Sequence, residues 1–215
     1  MKRLIVMLAL LQGLTFFAYS QRLVQKNLEV QGKKVEMKFS FADTILVEAW
    51  DKNTLELEVS VNIGNNSYNN DYQLNVNESS NKLELDEKID FKDVQSKSKD
   101  YDKLKSVINY KLKVPAQLEF DLKTISGKVE LKGSLGKMSI NSISGFIDCT
   151  LPRSHSAHID LSTVTGNVYS DLKFEEKEHE KMSWVGTKRN LTLNGGKVAV
   201  ELKTVSGDIF LREGR

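Results

Sequence analysis

The chain has 215 residues, with 31 Lys and Arg against 29 Asp and Glu, and a single cysteine. Lys2 and Arg3 fall in the first twenty residues; without them the balance is 29 to 29, which argues against nucleic acid and against electrostatic binding to anionic lipid. One cysteine excludes an intramolecular disulfide. Lys2-Arg3 is a short basic start, Leu4 to Ala18 is an apolar run, and Ala18-Tyr19-Ser20 sets small residues before Gln21. This is the pattern of a secretory signal peptide, so we expect residues 1–20 to be removed and the protein to be exported, to the periplasm or beyond the cell. The run falls short of the roughly 20 residues that a membrane span requires. The mature chain carries no later candidate span, and no cysteine stands at the cleavage site to take a lipid.

Residues 21–115 read as irregular β structure. Val35 to Phe39 alternates apolar and polar residues. Ile45 to Trp50 and Leu55 to Val61, joined by the polar Asp51-Lys52-Asn53, predict a hairpin. Gly64 to Asp71 is a polar loop, with short strands at Tyr72 to Val76 and Leu83 to Leu85. Residues 86–105 are dense in charge and predict a solvated insertion, and Val107 to Val114 predicts a strand that runs into Pro115. No stretch shows sustained helical periodicity. Residues 21–115 are expected to cap a more regular C-terminal half.

Residues 116–215 repeat. Four copies are plain, Leu122 to Gly127, Ile140 to Gly145, Leu161 to Gly166 and Leu202 to Gly207, and a worn copy, Ser183 to Gly186, lies between the last two. A period of about 20 residues marks a solenoid whose coils bury their apolar faces by stacking. Aligned on the glycines, Phe120, Met138, Ile159 and Val200 share one position. Leu122, Ile140, Leu161 and Leu202 share the next but one, then Thr124, Ser142, Thr163 and Thr204, and beyond the glycine Val129, Ile147, Val168 and Ile209. Charged residues alternate with them, the period of a half-buried strand. Each coil is therefore strand, glycine corner, strand. Gly127, Gly145, Gly166, Gly186 and Gly207 are the corners, and the Thr/Ser column is expected to hydrogen-bond along the stack. The fold expected is all-β: a single-stranded right-handed β-helix or β-solenoid. Lys181 and Lys188 stand where the worn copy should be apolar, so that coil is expected to bulge.

The run Thr204 to Arg212, preceded by Leu193-Asn194-Gly195-Gly196, resembles the C-terminal signature of the bacterial putative-adhesin β-strand-repeat family, a domain of unknown function. The turn from Trp50 to Asn53 and the run Leu112 to Pro115 fit the same family. The resemblance implies an exported envelope protein with a stacked β-helix-like body. It names no chemistry, because fold does not imply function.

Candidate chemistry is sparse. His155 and His158 are three apart, which on a strand sets them on opposite sides, and they read as an exposed pair; His179 lies in a charged loop. No spacing for zinc or calcium ligands occurs, and no cofactor is expected. Cys149 takes the position of Leu131 and Leu211 and reads as a small buried side chain. A polysaccharide lyase or hydrolase is the enzymatic alternative, and glycoside hydrolysis needs two neighbouring carboxylates. Asp121, Asp160 and Glu201 share one column on alternate coils in chain order, which puts them about 10 Å apart. Phe146, Tyr169 and Phe210 point outward beside their glycines and form a candidate contact for a protein or glycan of the envelope, or for a second copy, unless residues 174–188 cover them. The expectation is a non-catalytic surface-binding protein.

Overall fold

Strict alternation decides the architecture, because every second side chain must be buried and a lone two-strand coil cannot bury it. The computed structural model describes residues 21–98, 104–175 and 186–214. Among the described residues, sixteen strands form two eight-stranded sheets whose inward faces share one core. The first seven are β1 Arg22–Glu29, β2 Lys34–Lys38, β3 Thr44–Trp50, β4 Thr54–Ile63, β5 Tyr72–Glu78, β6 Lys82–Ile89 and β7 Ser106–Pro115. The repeats supply β8 Phe120–Thr124, β9 Lys128–Lys132, β10 Met138–Ser144, β11 Ile147–Pro152, β12 Ala157–Thr163 and β13 Val168–Ser170. The chain ends with β14 Thr187–Leu193, β15 Val198–Ser206 and β16 Ile209–Gly214. The first sheet runs β1-β4-β7-β3-β9-β11-β16-β13, and the second β14-β12-β15-β10-β8-β2-β6-β5.

The all-β expectation holds, but two features differ from a single-stranded β-helix. Antiparallel strands flank the parallel stack: β1 on β4 and β4 on β7, β5 on β6, and β14 on β12. The coils also stack out of chain order. The last coil, β15–β16, lies between β10–β11 and β12–β13, and the early coil β2–β3 lies against β8–β9. Identical inward patterns make any coil an acceptable neighbour for any other, so the long connection from β13 to β15 leaves the last coil free to take an inner place. Gly186 is not the corner of a fourth parallel coil. It leads into β14, which runs antiparallel along β12, and Lys188 on β14 is exposed; Ser183 and Lys181 lie outside the described residues.

The expected hairpin between β3 and β4 does not form, because β7 inserts between them. Its alternating Ile108, Tyr110, Leu112 and Val114 match the fully buried rows of both neighbours. The charged stretch is not a mere solvated insertion either. It contains the second half of β6 and a short helix, α1 Phe91–Lys97, capped by the Asp90 side chain accepting from the Asp93 amide at 3.1 Å. Among the described residues, no helix is long and apolar enough to cross a membrane.

Repeat alignment carries directly into register. Met138 pairs with Phe120 and Val200, and Val200 with Ile159; Ile140, Leu122, Leu202 and Leu161 follow two residues on. All eight are buried. Cys149 is also buried, between Leu131 and Leu211, and burial pushes its thiol up to about 12, so it packs as an apolar group. The Thr/Ser column is buried as well, but its hydroxyls do not bond to one another. Thr163 donates to the Gly207 carbonyl at 2.9 Å and Thr204 to the Gly145 carbonyl at 3.3 Å, so each ties its corner to the next coil.

Candidate binding site

The glycine corners form one edge of the stack, and the two surfaces beside that edge carry the candidate site. A Cβ on Gly145 would run into the Gly127 carbonyl, one on Gly207 into the Gly145 carbonyl, and one on Gly166 into the Gly207 carbonyl. The backbones are in contact, which lines up side chains on successive coils. Gly127, Gly145, Gly186 and Gly207 also have positive φ. Gly166 does not, so close approach alone requires glycine there.

On the first sheet the structure brings Phe146, Phe210 and Tyr169 together. Phe146 and Phe210 meet edge to face with centroids 6.2 Å apart, and Tyr169 stacks on Phe210 at 5.2 Å and 15°. Tyr169 pairs directly with Phe210 across β13 and β16. The out-of-order stacking makes this ladder: only the insertion of β16 puts Phe210 between the other two. Phe146 and Tyr169 are exposed and Phe210 half-buried. Lys128 lies 5.6 Å from the Phe146 centroid, and Arg212 lies 5.1 Å from that of Phe210 while bonding Asp148 at 2.8 Å. Most of the segment expected to cover these rings, residues 176–185, lies outside the described residues.

On the second sheet is a row of side chains to which the repeat pattern assigns no role. Ile125, Ile143, Val205 and Val164, each two before its corner glycine, are 41–53% exposed. Alternation could have found them, since the buried Thr/Ser position next to each makes its neighbour face outward. Beside this aliphatic row runs a polar one, and between them lies an open groove of about 520 Å³ lined by Lys38, Lys123, Asn141, Lys203 and Ser162.

The carboxylate column also changes with stacking order. Asp160 and Glu201 are direct partners on β12 and β15, one strand spacing apart rather than two, which removes the distance objection to a catalytic pair. Glu201 pairs with Lys203 and accepts from Ser139 at 2.6 Å, and these contacts hold its carboxyl below the usual range, so it does not suit the general-acid role of such a pair. Asp160 faces His158 at 3.9 Å.

His155 and His158 are not an exposed pair. His155 is buried, with Nδ1 3.1 Å from the Ser134 hydroxyl, and burial lowers its pKa; His158 is exposed and 3.4 Å from the Thr192 hydroxyl. Among the described residues, no three His, Cys, Asp or Glu side chains gather as metal ligands.

Residues 116–212, which hold the stacked coils and their glycine edge, match the model of a known family, Toastrack DUF4097. Beyond the Toastrack segment, the whole fold resembles the crystal structure of a putative cell adhesion protein from Clostridium sporogenes. The TM-score is 0.58 at 12% identity, covering 91% of this chain and 100% of that one. A putative lipid binding protein from Parabacteroides distasonis aligns at 14% identity with a TM-score of 0.29, over 69% of this chain and 70% of the other. A putative adhesin from Bacteroides fragilis aligns at 13% identity with a TM-score of 0.24, over 90% and 98%. No curated protein matches the chain. The Clostridium likeness extends the shared fold to the strands that precede the Toastrack segment.

Proposed function

We propose that this chain is an exported, non-catalytic protein of the cell envelope that holds a surface partner through the Phe146–Phe210–Tyr169 ladder. The observation that carries this reading is the ladder itself: three aromatic side chains on successive coils, in mutual contact, with the outer two exposed. Exposed aromatic rings on a rigid sheet give large contact area for little lost side-chain freedom. The stack supports a binding role because its paired backbones hold the rings at fixed separations.

Purified protein immobilised against solubilised envelope tests this. Tyr169→Ala with Phe210→Ala is expected to weaken capture by roughly ten-fold or more, in line with the 1–2 kcal/mol typical of a truncated aromatic anchor. Thermal stability should change little, since neither ring is in the core. Full capture by the double variant would refute the ladder as the contact. Release of reducing sugar from envelope glycan by the purified protein would refute the non-catalytic reading.

Export carries its own test. Mass spectrometry of the protein recovered from cells expressing the full chain is expected to find Gln21 at the N-terminus. A product that keeps Leu4 to Ala18 would overturn export by signal cleavage.

A further inference from the structure

We propose that the groove on the second sheet is a separate binding site for a linear acidic polysaccharide, lying across the strands with its carboxylates along the lysines and its C–H faces on the aliphatic row. The inference rests on the surface-binding reading but uses the opposite face of the glycine edge from the aromatic ladder.

Register sets the pattern. The polar row reads Lys38 on β2, Lys123 on β8, Asn141 on β10, Lys203 on β15, Ser162 on β12 and Lys188 on β14, each paired with the next across the sheet. From Lys123 onward the order is cation, neutral, cation, neutral, cation, a repeat of two strand spacings, or about 9.6 Å. No carboxylate interrupts this row. In chain order the same residues show no such alternation; it exists only because β15 lies between β10 and β12.

A β-1,4-linked uronate chain has the matching form. It is an extended two-fold ribbon, so carboxylates on one edge recur at every second sugar, with a repeat close to two strand spacings. Each would meet a lysine, while Asn141 and Ser162 between them face ring hydroxyls. The other wall, Ile125, Ile143, Val205 and Val164, offers apolar contact of the kind that pyranose C–H faces seek. Charge complementarity selects an anion, and the spread of lysines along the groove selects a repeating anion over a single head group. An acyl chain with one acidic end would use one lysine and leave the rest unmatched. A second copy laid ridge on ridge about an axis along the strands would set lysine row against lysine row. Lys203 also pairs with Glu201, whereas Lys123 has no ion pair among the described residues, so Lys123 is the stronger anchor.

The test uses the mature protein with polymannuronate oligomers, with cello-oligosaccharides as the neutral chain of the same linkage, poly-L-glutamate as charge without sugar, and phosphatidylglycerol vesicles as an anionic surface. Calorimetric titration is expected to show binding of polymannuronate alone, weakening as salt rises. Lys123→Glu with Lys188→Glu should weaken it at least ten-fold, and Ile143→Ser with Val205→Ser should weaken it at unchanged salt dependence. Tyr169→Ala with Phe210→Ala should leave it intact, so loss of envelope capture in that variant alone would indict the ladder and not the groove. No heat with polymannuronate from a protein that unfolds cooperatively would overturn the proposal. Equal binding of poly-L-glutamate or of the vesicles would overturn it too, in favour of an acidic peptide or a lipid surface.

Discussion

Gly207→Ala is expected to destabilise the protein by about 3–5 kcal/mol, through overpacking against backbone added to the strain of positive φ. Gly207 has φ +146°, and a Cβ there would run into the Gly145 carbonyl of the neighbouring coil. No rotamer relieves that clash, because both partners are backbone. The Gly145 carbonyl also accepts the Thr204 hydroxyl, and the Gly207 carbonyl accepts that of Thr163, so a displaced corner would break the links on both sides. For a chain of this size the melting temperature should fall by about 8–15 °C. Gly32→Ala is the control: its φ is +72° with no atom within 4 Å of an added Cβ, and it should cost only about 1 kcal/mol. Equal losses from the two substitutions would show that coil contact is not what Gly207 serves.

The second large effect is a pH dependence centred on Glu87. Its side chain points into the core, where the Tyr110 hydroxyl donates to it at 2.6 Å and the Phe41 amide at 3.2 Å, and Tyr72 lies 3.1 Å from Tyr110 hydroxyl to hydroxyl. Burial outweighs these donors and raises the carboxyl to about 7 from an ordinary 4.5. Below pH 4.5 the proton is bound in folded and unfolded chains alike. Above it the unfolded chain releases the proton while the folded one keeps it, so stability falls as pH rises to about 7. At about 1.4 kcal/mol for each pH unit, the loss comes to about 3 kcal/mol. Urea unfolding at pH 4.5 and pH 8 should therefore show Glu87→Gln gaining about that much relative to the native protein between the two. A difference between variant and native that does not change with pH would mean that Glu87 ionises in place without cost.

The coil and the corner follow from the order of residues alone. Alternation at Phe120, Leu122 and Thr124 and their counterparts allows only strands with those faces inward, and the inward set is buried as expected. Phe146, Tyr169 and Phe210 could likewise be placed outward from parity alone. Neighbours could not be read the same way. Because all four clear repeats present the same inward pattern, periodicity makes every order of stacking equally acceptable, and β3 and β4 look like a hairpin to any local reading. It takes the folded chain to show that β7 separates those two strands and that the last coil sits between the second and third. Those two choices depend on non-local packing and on connection length, and neither leaves a mark in a window of ten residues. The site depends on the second of them: inserting β15–β16 brings Phe210 between Phe146 and Tyr169, sets Glu201 beside Asp160, and spaces Lys123, Lys203 and Lys188 at every second strand.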